Sequence, residues 1–315
     1  VTDPSLSARR HDPEAGSASE YPPLPQALVV PVYDNHTHLA DFFERDRQDG
    51  IEPLDYREQL DRASSVGVRG VVQVGTDLET SRWGAEIAAV EPRVLAAVAL
   101  HPNEAPVLAV EGRLDDQLAA IDELAGRPRV RAVGETGLDF YRTEGEAGLA
   151  AQLRSFETHI AIAKEHDLAL QIHDRDAHRA VLDTLRRVGA PERTVFHCFS
   201  GDAEFARIVA DEGWYLSFAG TVTFKNAQPL RDALEAVPRS RLLIETDAPY
   251  LTPVPYRGRP NSAYLIPYTL RAMADHLGTD ASMLAAQISS NTELVYGHWD
   301  DEPVAPPPGP FEEHS

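Results

Sequence analysis

Apolar residues in this chain gather in eight short runs rich in β-branched side chains, at 28–35, 68–75, 94–100, 130–135, 168–173, 194–198, 215–219 and 242–246. The intervals between them carry a different period. Leu149, Leu153, Phe156 and Ile160 step by four, three and four, which draws one stripe along a helix. Phe205, Ile208 and Val209 repeat the pattern, with Ser200 or Asp202 as the capping residue. Strands alternating with helices predict a parallel sheet with right-handed crossovers. Eight such units between residues 34 and 297 match a (β/α)₈ TIM barrel, which takes roughly 250 residues. The competing architecture, an open doubly wound sheet, would carry a Gly-rich fingerprint after its first strand. Here the first run ends in DNHTHL, and neither GxGxxG nor GxxxxGKS/T occurs.

Proline marks where the periodic region stops. Eleven of the 24 prolines lie in residues 1–33 and 298–315, segments with few apolar side chains to bury. The expected organisation is an irregular Pro/Ser-rich extension over 1–27, one barrel domain over 28–297 and an acidic Pro-rich tail over 298–315. With 315 residues, 43% hydrophobic and 25% charged, the chain can build a large core. No run approaches 18 apolar residues, which argues against a membrane partner. The first residues lack the apolar core of a signal peptide, which points to the cytoplasm. A single cysteine, Cys198, excludes an internal disulfide and a Cys-based zinc site. Its place after His197 predicts a small buried thiol turned towards the helices.

The net charge of −21 changes the picture more than the composition does. Such acidity disfavours loose attraction to phosphate backbones. A nucleic-acid partner therefore needs positive charge concentrated at the site, and divalent ions are one source of it.

In a barrel the chemistry gathers where strands end at their C-terminal side. The first run ends with Asp34, His36 and His38, the imidazoles two apart and so on one face. Glu135 closes the fourth run in AVGETGLDF, His173 the fifth in LALQIHDRD, His197 the sixth in TVFHCFSG and Asp247 the eighth in LLIETDAPY. Each has an ordinary reading alone: a core histidine bonded to a carbonyl, a carboxylate paired with an arginine, a turn cap. Together they are six borderline-to-hard ligands on five strand ends, which suits two divalent ions with one carboxylate shared. Without cations, mutual repulsion and burial would drive these carboxyl groups towards protonation. His159, His166, His178, His276 and His298 fall in helical or tail contexts and read as solvated. Asp139 and Arg142 read as a pair near the mouth or as a loop cap.

Five motifs in order, HTH, GETGLDFYR, QIHDRDA, FHCFSG and ETDAPYLTPVPYRGRPN, make this chain resemble the TatD family of metal-dependent deoxyribonucleases, within the amidohydrolase-type barrel superfamily. The resemblance runs from about Asp34 to Gly297. It implies that His36, His38, Glu135 and Asp247 hold one metal and that Glu135, His173 and His197 hold a second. The ions it implies are zinc, magnesium or manganese. It also places His101, in ALHPNEA, beside the scissile phosphate. Two positions depart from the family pattern: Thr136 stands where Ile or Cys is usual, and Asn261-Ser262 where Asn-Glu is common.

The expected chemistry is attack of a metal-activated water on a DNA phosphodiester, with Asp247 as general base, and the resemblance implies 3′→5′ release of nucleotides from single strands or 3′ ends. Arg257 and Arg259 are candidate phosphate clamps, and Tyr141 with Phe140 a candidate stacking platform. Two rivals stand beside this. One keeps the metals but hydrolyses esters or amides, for example as an aminoacyl-tRNA deacylase. The other is a non-catalytic metal-binding scaffold.

Overall fold

A computed structural model of the chain describes residues 20–40, 54–301 and 304. Most of the 298–315 tail, and the 1–19 portion of the expected extension, lie outside the described residues. Among them eight parallel strands pair in chain order: β1 (Val32–Thr37), β2 (Val68–Val74), β3 (Val94–Val98), β4 (Val130–Asp139), β5 (Ala169–Arg175), β6 (Thr194–Phe196), β7 (Tyr215–Phe218) and β8 (Leu242–Ile244). The helices described between and after them are α1 (Tyr56–Ser65), α2 (Leu78–Ala88), α3 (Glu104–Val110), α4 (Leu114–Ala125), α5 (Glu146–Glu165), α6 (His178–Val188), α7 (Ala203–Asp211), α8 (Gln228–Ala236), α9 (Ile266–His276) and α10 (Ala281–Tyr296). This is the expected (β/α)₈ barrel, nearly closed.

The seam between β1 and β8 is sealed beyond the strand ends. Asp247 N–H donates to His36 O at 3.0 Å, and His38 N–H to Ala248 O at 2.8 Å. Below them the Asp34 carboxylate accepts from both the backbone N–H and the hydroxyl of Thr246. Burial pushes Asp34 up to about 7 against the pull of those Thr246 bonds. Asp34 therefore works at the seam, not in the mouth.

Helix starts follow side-chain caps. Asp55 opens α1, Asp77 opens α2 through a reciprocal box with Thr80, and Asp280 opens α10. Asp202 is the cap of α7, accepting from Glu204 and Phe205 N–H, which decides between the two expected residues. The main core lies between strands and helices, where Phe156, Ile160, Val209 and Phe196 are buried. Alternate strand residues face inward. Tyr33, Val74, Leu95, Ala97, Val195 and Leu243 form a second cluster with Val295, Tyr296 and Trp299, which close the base of the barrel.

Several boundaries differ from the expected ones. The first strand is Val32–Thr37 rather than 28–35, because Pro31 lacks the N–H a ladder needs. Residues 20–31 have no helix or strand yet are fastened. Tyr264 Oη donates to Pro22 O, and the Arg271 guanidinium to Gln26 O. Trp299, expected in the irregular tail, is buried and stacks on Tyr33 at 4.1 Å. β4 runs on to Asp139, so Glu135 lies within a strand. The β4–β5 register shifts between Val133 and Thr136, and such a bulge re-aims the side chain it carries. The β1–β2 register shifts likewise between Asp34 and Thr37, around His36. No described helix is long and apolar enough to cross a membrane.

Candidate active site

At the C-terminal end of the barrel, one carboxylate sits at the centre of the histidines. Glu135 Oε1 lies 2.5 Å from His173 Nδ1, 2.9 Å from His197 Nε2 and 3.4 Å from His101 Nε2. Its other oxygen, Oε2, is 3.7 Å from both His36 Nε2 and His38 Nε2. Asp247 Oδ1 joins that second group, 3.8 Å from His36 and 3.4 Å from His38. Each oxygen of Glu135 thus faces its own set of nitrogen donors. Asp247 reaches its place through a left-handed backbone, φ 53°, a conformation Asp tolerates better than most residues. Gly137 lets β4 close on β5: its φ is 143°, and a Cβ there would stand 2.1 Å from His173 O.

The donor chemistry fits cations. His38 Nδ1 lies 3.0 Å from Val74 O, so Nδ1 carries the proton and the Nε2 lone pair points inward. That lone pair faces His36 Nε2 at 3.2 Å. Burial and the neighbouring His197 press His36 down to about 3, so its ring is neutral too. Either His36 Nε2 carries its ring's proton and donates to His38, or two lone pairs face each other beside two carboxylates and call for a metal between them. Among the described residues, three groups of side chains have ligand atoms close enough to share an ion: His36, His38 and Glu135; His101, Glu135 and His173; and His36, His197 and Glu245. Burial alone would raise Glu135, but the charges of His197 and His101 and the bonds from His101 and His173 hold it well below the usual carboxylate range. Burial would lower His197 and His173, yet Glu135 and Glu245 hold His197 well up, and Asp139 and Glu135 hold His173 at about 8.

A cavity of 610 Å³ opens above this cluster. The described lining includes His38, His101, Glu135, His173, His197 and Asp247, and His36 lies beneath it, fully buried. The other expected contacts are placed less uniformly. Tyr141 is exposed with the Arg175 guanidinium 4.0 Å over its ring, and Phe140 is partly exposed. Arg257 leaves the mouth and lies 4.3 Å over the Phe224 ring. Arg259 is not a phosphate clamp in this structure. It is buried, and its guanidinium donates to Glu20 O and Tyr21 O, tying residues 20–21 to the loop after β8.

Other readings change too. Cys198 does not turn towards the helices; β6 stops at Phe196, and a left-handed Cys198 (φ 39°) lines the mouth. Burial pushes its thiol well up, so it stays protonated. His159 is fully buried, not solvated. The Asp139 carboxylate caps its own loop through Tyr141 and Arg142 N–H, and its Oδ2 lies 3.2 Å from His173 Nε2. Glu245, passed over in the sequence, holds His197 Nδ1 at 3.1 Å. Both carried a readable signal, since Asp139 lies four residues after Glu135 and Glu245 two before Asp247, the spacing of one strand face. Arg142, Arg175 and Tyr250 also line the mouth, and the two arginines supply cationic charge there.

Comparison with known proteins agrees with this geometry. The model of the TatD related DNase family matches residues 33–297. The chain belongs to the TatD family. It is 44% identical to a metal-dependent hydrolase TatD of uncharacterised activity from Mycobacterium tuberculosis, over 84% of this chain and 98% of that protein. It is 33% identical to the 3′-5′ ssDNA/RNA exonuclease TatD of Escherichia fergusonii, over 81% and 94%. Among solved structures it superposes on the TatD homologue YJJV of Escherichia coli with a TM-score of 0.74, at 25% identity, covering 85% of this chain and 98% of that one. The protein is a metal-dependent hydrolase of this family.

Proposed function

We propose that the protein hydrolyses DNA phosphodiesters from 3′ ends with two divalent ions held by His36, His38, Glu135 and Asp247 on one side and Glu135, His173 and His197 on the other. The observation that carries this reading is the division of Glu135, one oxygen towards each set of imidazoles. When bound, zinc, magnesium or manganese would polarise the phosphoryl oxygen and lower the pKa of water near neutrality. Asp247 accepts the proton of the attacking water, because its carboxylate faces the His36–His38 side and remains open to the mouth. His101, 3.4 Å from Glu135, stands where it can donate to a phosphate oxygen. Arg142 and Arg175 bind the flanking phosphates through their planar forks, in the place first expected of Arg257 and Arg259. Asp139 and Glu245 orient His173 and His197 from behind. The relative named as a 3′-5′ exonuclease supports the same substrate class.

The test is digestion of single-stranded DNA with magnesium or manganese by wild type, Glu135→Ala and Asp247→Asn. The expected result is loss of activity to background in Glu135→Ala and a fall of about 10²–10⁴-fold in Asp247→Asn. Equal activity in all three proteins refutes the assignment. The ester-hydrolase reading is favoured by the acidic side chains Glu104, Asp139 and Asp174 that share the mouth. Salt separates the two: binding to a DNA backbone weakens steeply with added salt, whereas a small neutral ester is indifferent.

A further inference from the structure

Beside the mouth lies a second cavity of 320 Å³ whose character is different. Phe199, Phe224, Ala227, Pro229 and Leu230 make its walls, with Thr221 and Asn226 as polar points. Cys198 and Ser200 line both cavities, so the two adjoin. We propose that this cavity seats the base of the nucleotide whose phosphate occupies the mouth. The proposal rests on the phosphodiesterase reading for the identity of that anion, and adds what holds the rest of the nucleotide.

The cavity is held open by its own supports. Phe199 is buried against Phe205 and Phe218, with centroids at 5.8 and 5.9 Å. The segment carrying Thr221 to Ala227 is fastened by Arg231, whose Nη1 donates to Val222 O at 3.0 Å and Phe224 O at 2.8 Å. A platform fixed in advance loses little freedom when a ligand arrives. Small-molecule sites are mostly apolar with a few polar groups that set orientation, and start near 300 Å³. The charge beside the cavity has the sign a nucleotide needs. Arg257 is stacked on Phe224, and exposed Lys225, one of two lysines in the chain, follows Phe224 directly. In a molecule of net charge −21, a pair of cations flanking an aromatic wall next to a metal-ligand cluster favours an anion with a flat apolar body over a neutral ester.

Calorimetry on the manganese-loaded full chain tests this with two probes, dAMP and 2-deoxyribose 5-phosphate, which differ only in the base. Wild type is expected to bind dAMP roughly tenfold more tightly, as one base stacked on an aromatic ring confers. Phe224→Ala removes the ring, and Phe224→Leu removes it while keeping an apolar side chain beneath Arg257. Both are expected to bring the ratio of the two affinities close to one. Equal affinities in wild type, or a tenfold ratio retained in both variants, overturns the proposal. The two readings fail separately. A protein inert towards DNA that still prefers dAMP loses the nuclease assignment and keeps the base site, while one that cuts DNA and ignores the base does the reverse.

Discussion

The two ends of the barrel both bury polar side chains, and they treat them in opposite ways. At the base, Arg129 is 1% exposed and spends its donors on four carbonyls: Ala88 and Trp299 at 2.7 Å, Pro92 at 2.9 Å and Val94 at 3.0 Å. Trp299 adds its own bond to Arg93 O at 3.1 Å. At the mouth, His36 Nδ1, Asp174 Oδ1 and Glu245 Oε2 are buried among the described residues with no partner. A buried polar atom without a partner costs about 1–3 kcal/mol. Satisfied networks of the first kind hold a fold together. Unsatisfied ones persist where something else can complete them.

Three substitutions sharpen that contrast. Arg129→Met should cost the most, about 3–5 kcal/mol in urea unfolding, since it strands several buried carbonyls at once. Metal bound per folded molecule should not change. That is the reverse of Glu135→Ala, and a drop in metal content with Arg129→Met would show that the ends are not independent.

His159 lies between the two regimes. Leu100 N–H donates to its Nε2 at 3.2 Å, so Nδ1 carries the proton and donates to Thr136 Oγ1 at 2.8 Å. Both nitrogens are used, and burial presses the ring down to about 3. His159→Leu should cost about 1–3 kcal/mol at pH 7 by stranding two partners. Because the folded pKa lies below the unfolded value, this histidine's contribution is present above about pH 6.5 and is lost as pH falls towards 3. The gap between wild type and His159→Leu should therefore narrow with acidification, followed by unfolding curves at stepped pH. A gap that widens would mean the buried ring is protonated.

Trp299→Phe should have the smallest effect, about 1 kcal/mol. It keeps the stacked ring over Tyr33 and loses only the bond to Arg93 O. A larger loss of thermal stability would make that bond, and not the ring, what closes the base.

How much was legible followed from how local the cause was. The strand runs were readable because β-branched residues alternate with helical stripes, and the two large boundary shifts were the start of β1 at Pro31 and the run of β4 on to Asp139. Thr136 and His159 look unrelated in sequence, one an exchange in a motif and the other a polar residue on a helix. Their hydrogen bond is a contact across 23 positions, so neither predicts the other. Arg259 sits in the motif PYRGRPN, where a phosphate clamp is the expected role. Which of two arginines faces solvent depended on Glu20 and Tyr21, more than two hundred residues away.

By itself the sequence determined the alternation of strands and helices, the barrel that follows from it, and the residue types that can bind metal, because periodicity and side-chain chemistry are properties of short segments. Tertiary structure decided which oxygen of Glu135 faces which imidazole, which buried polar atoms were left open, and that an aromatic cavity adjoins the mouth. Those are distances between strands far apart in the chain, set by bulges, strand ends and the closure of the sheet.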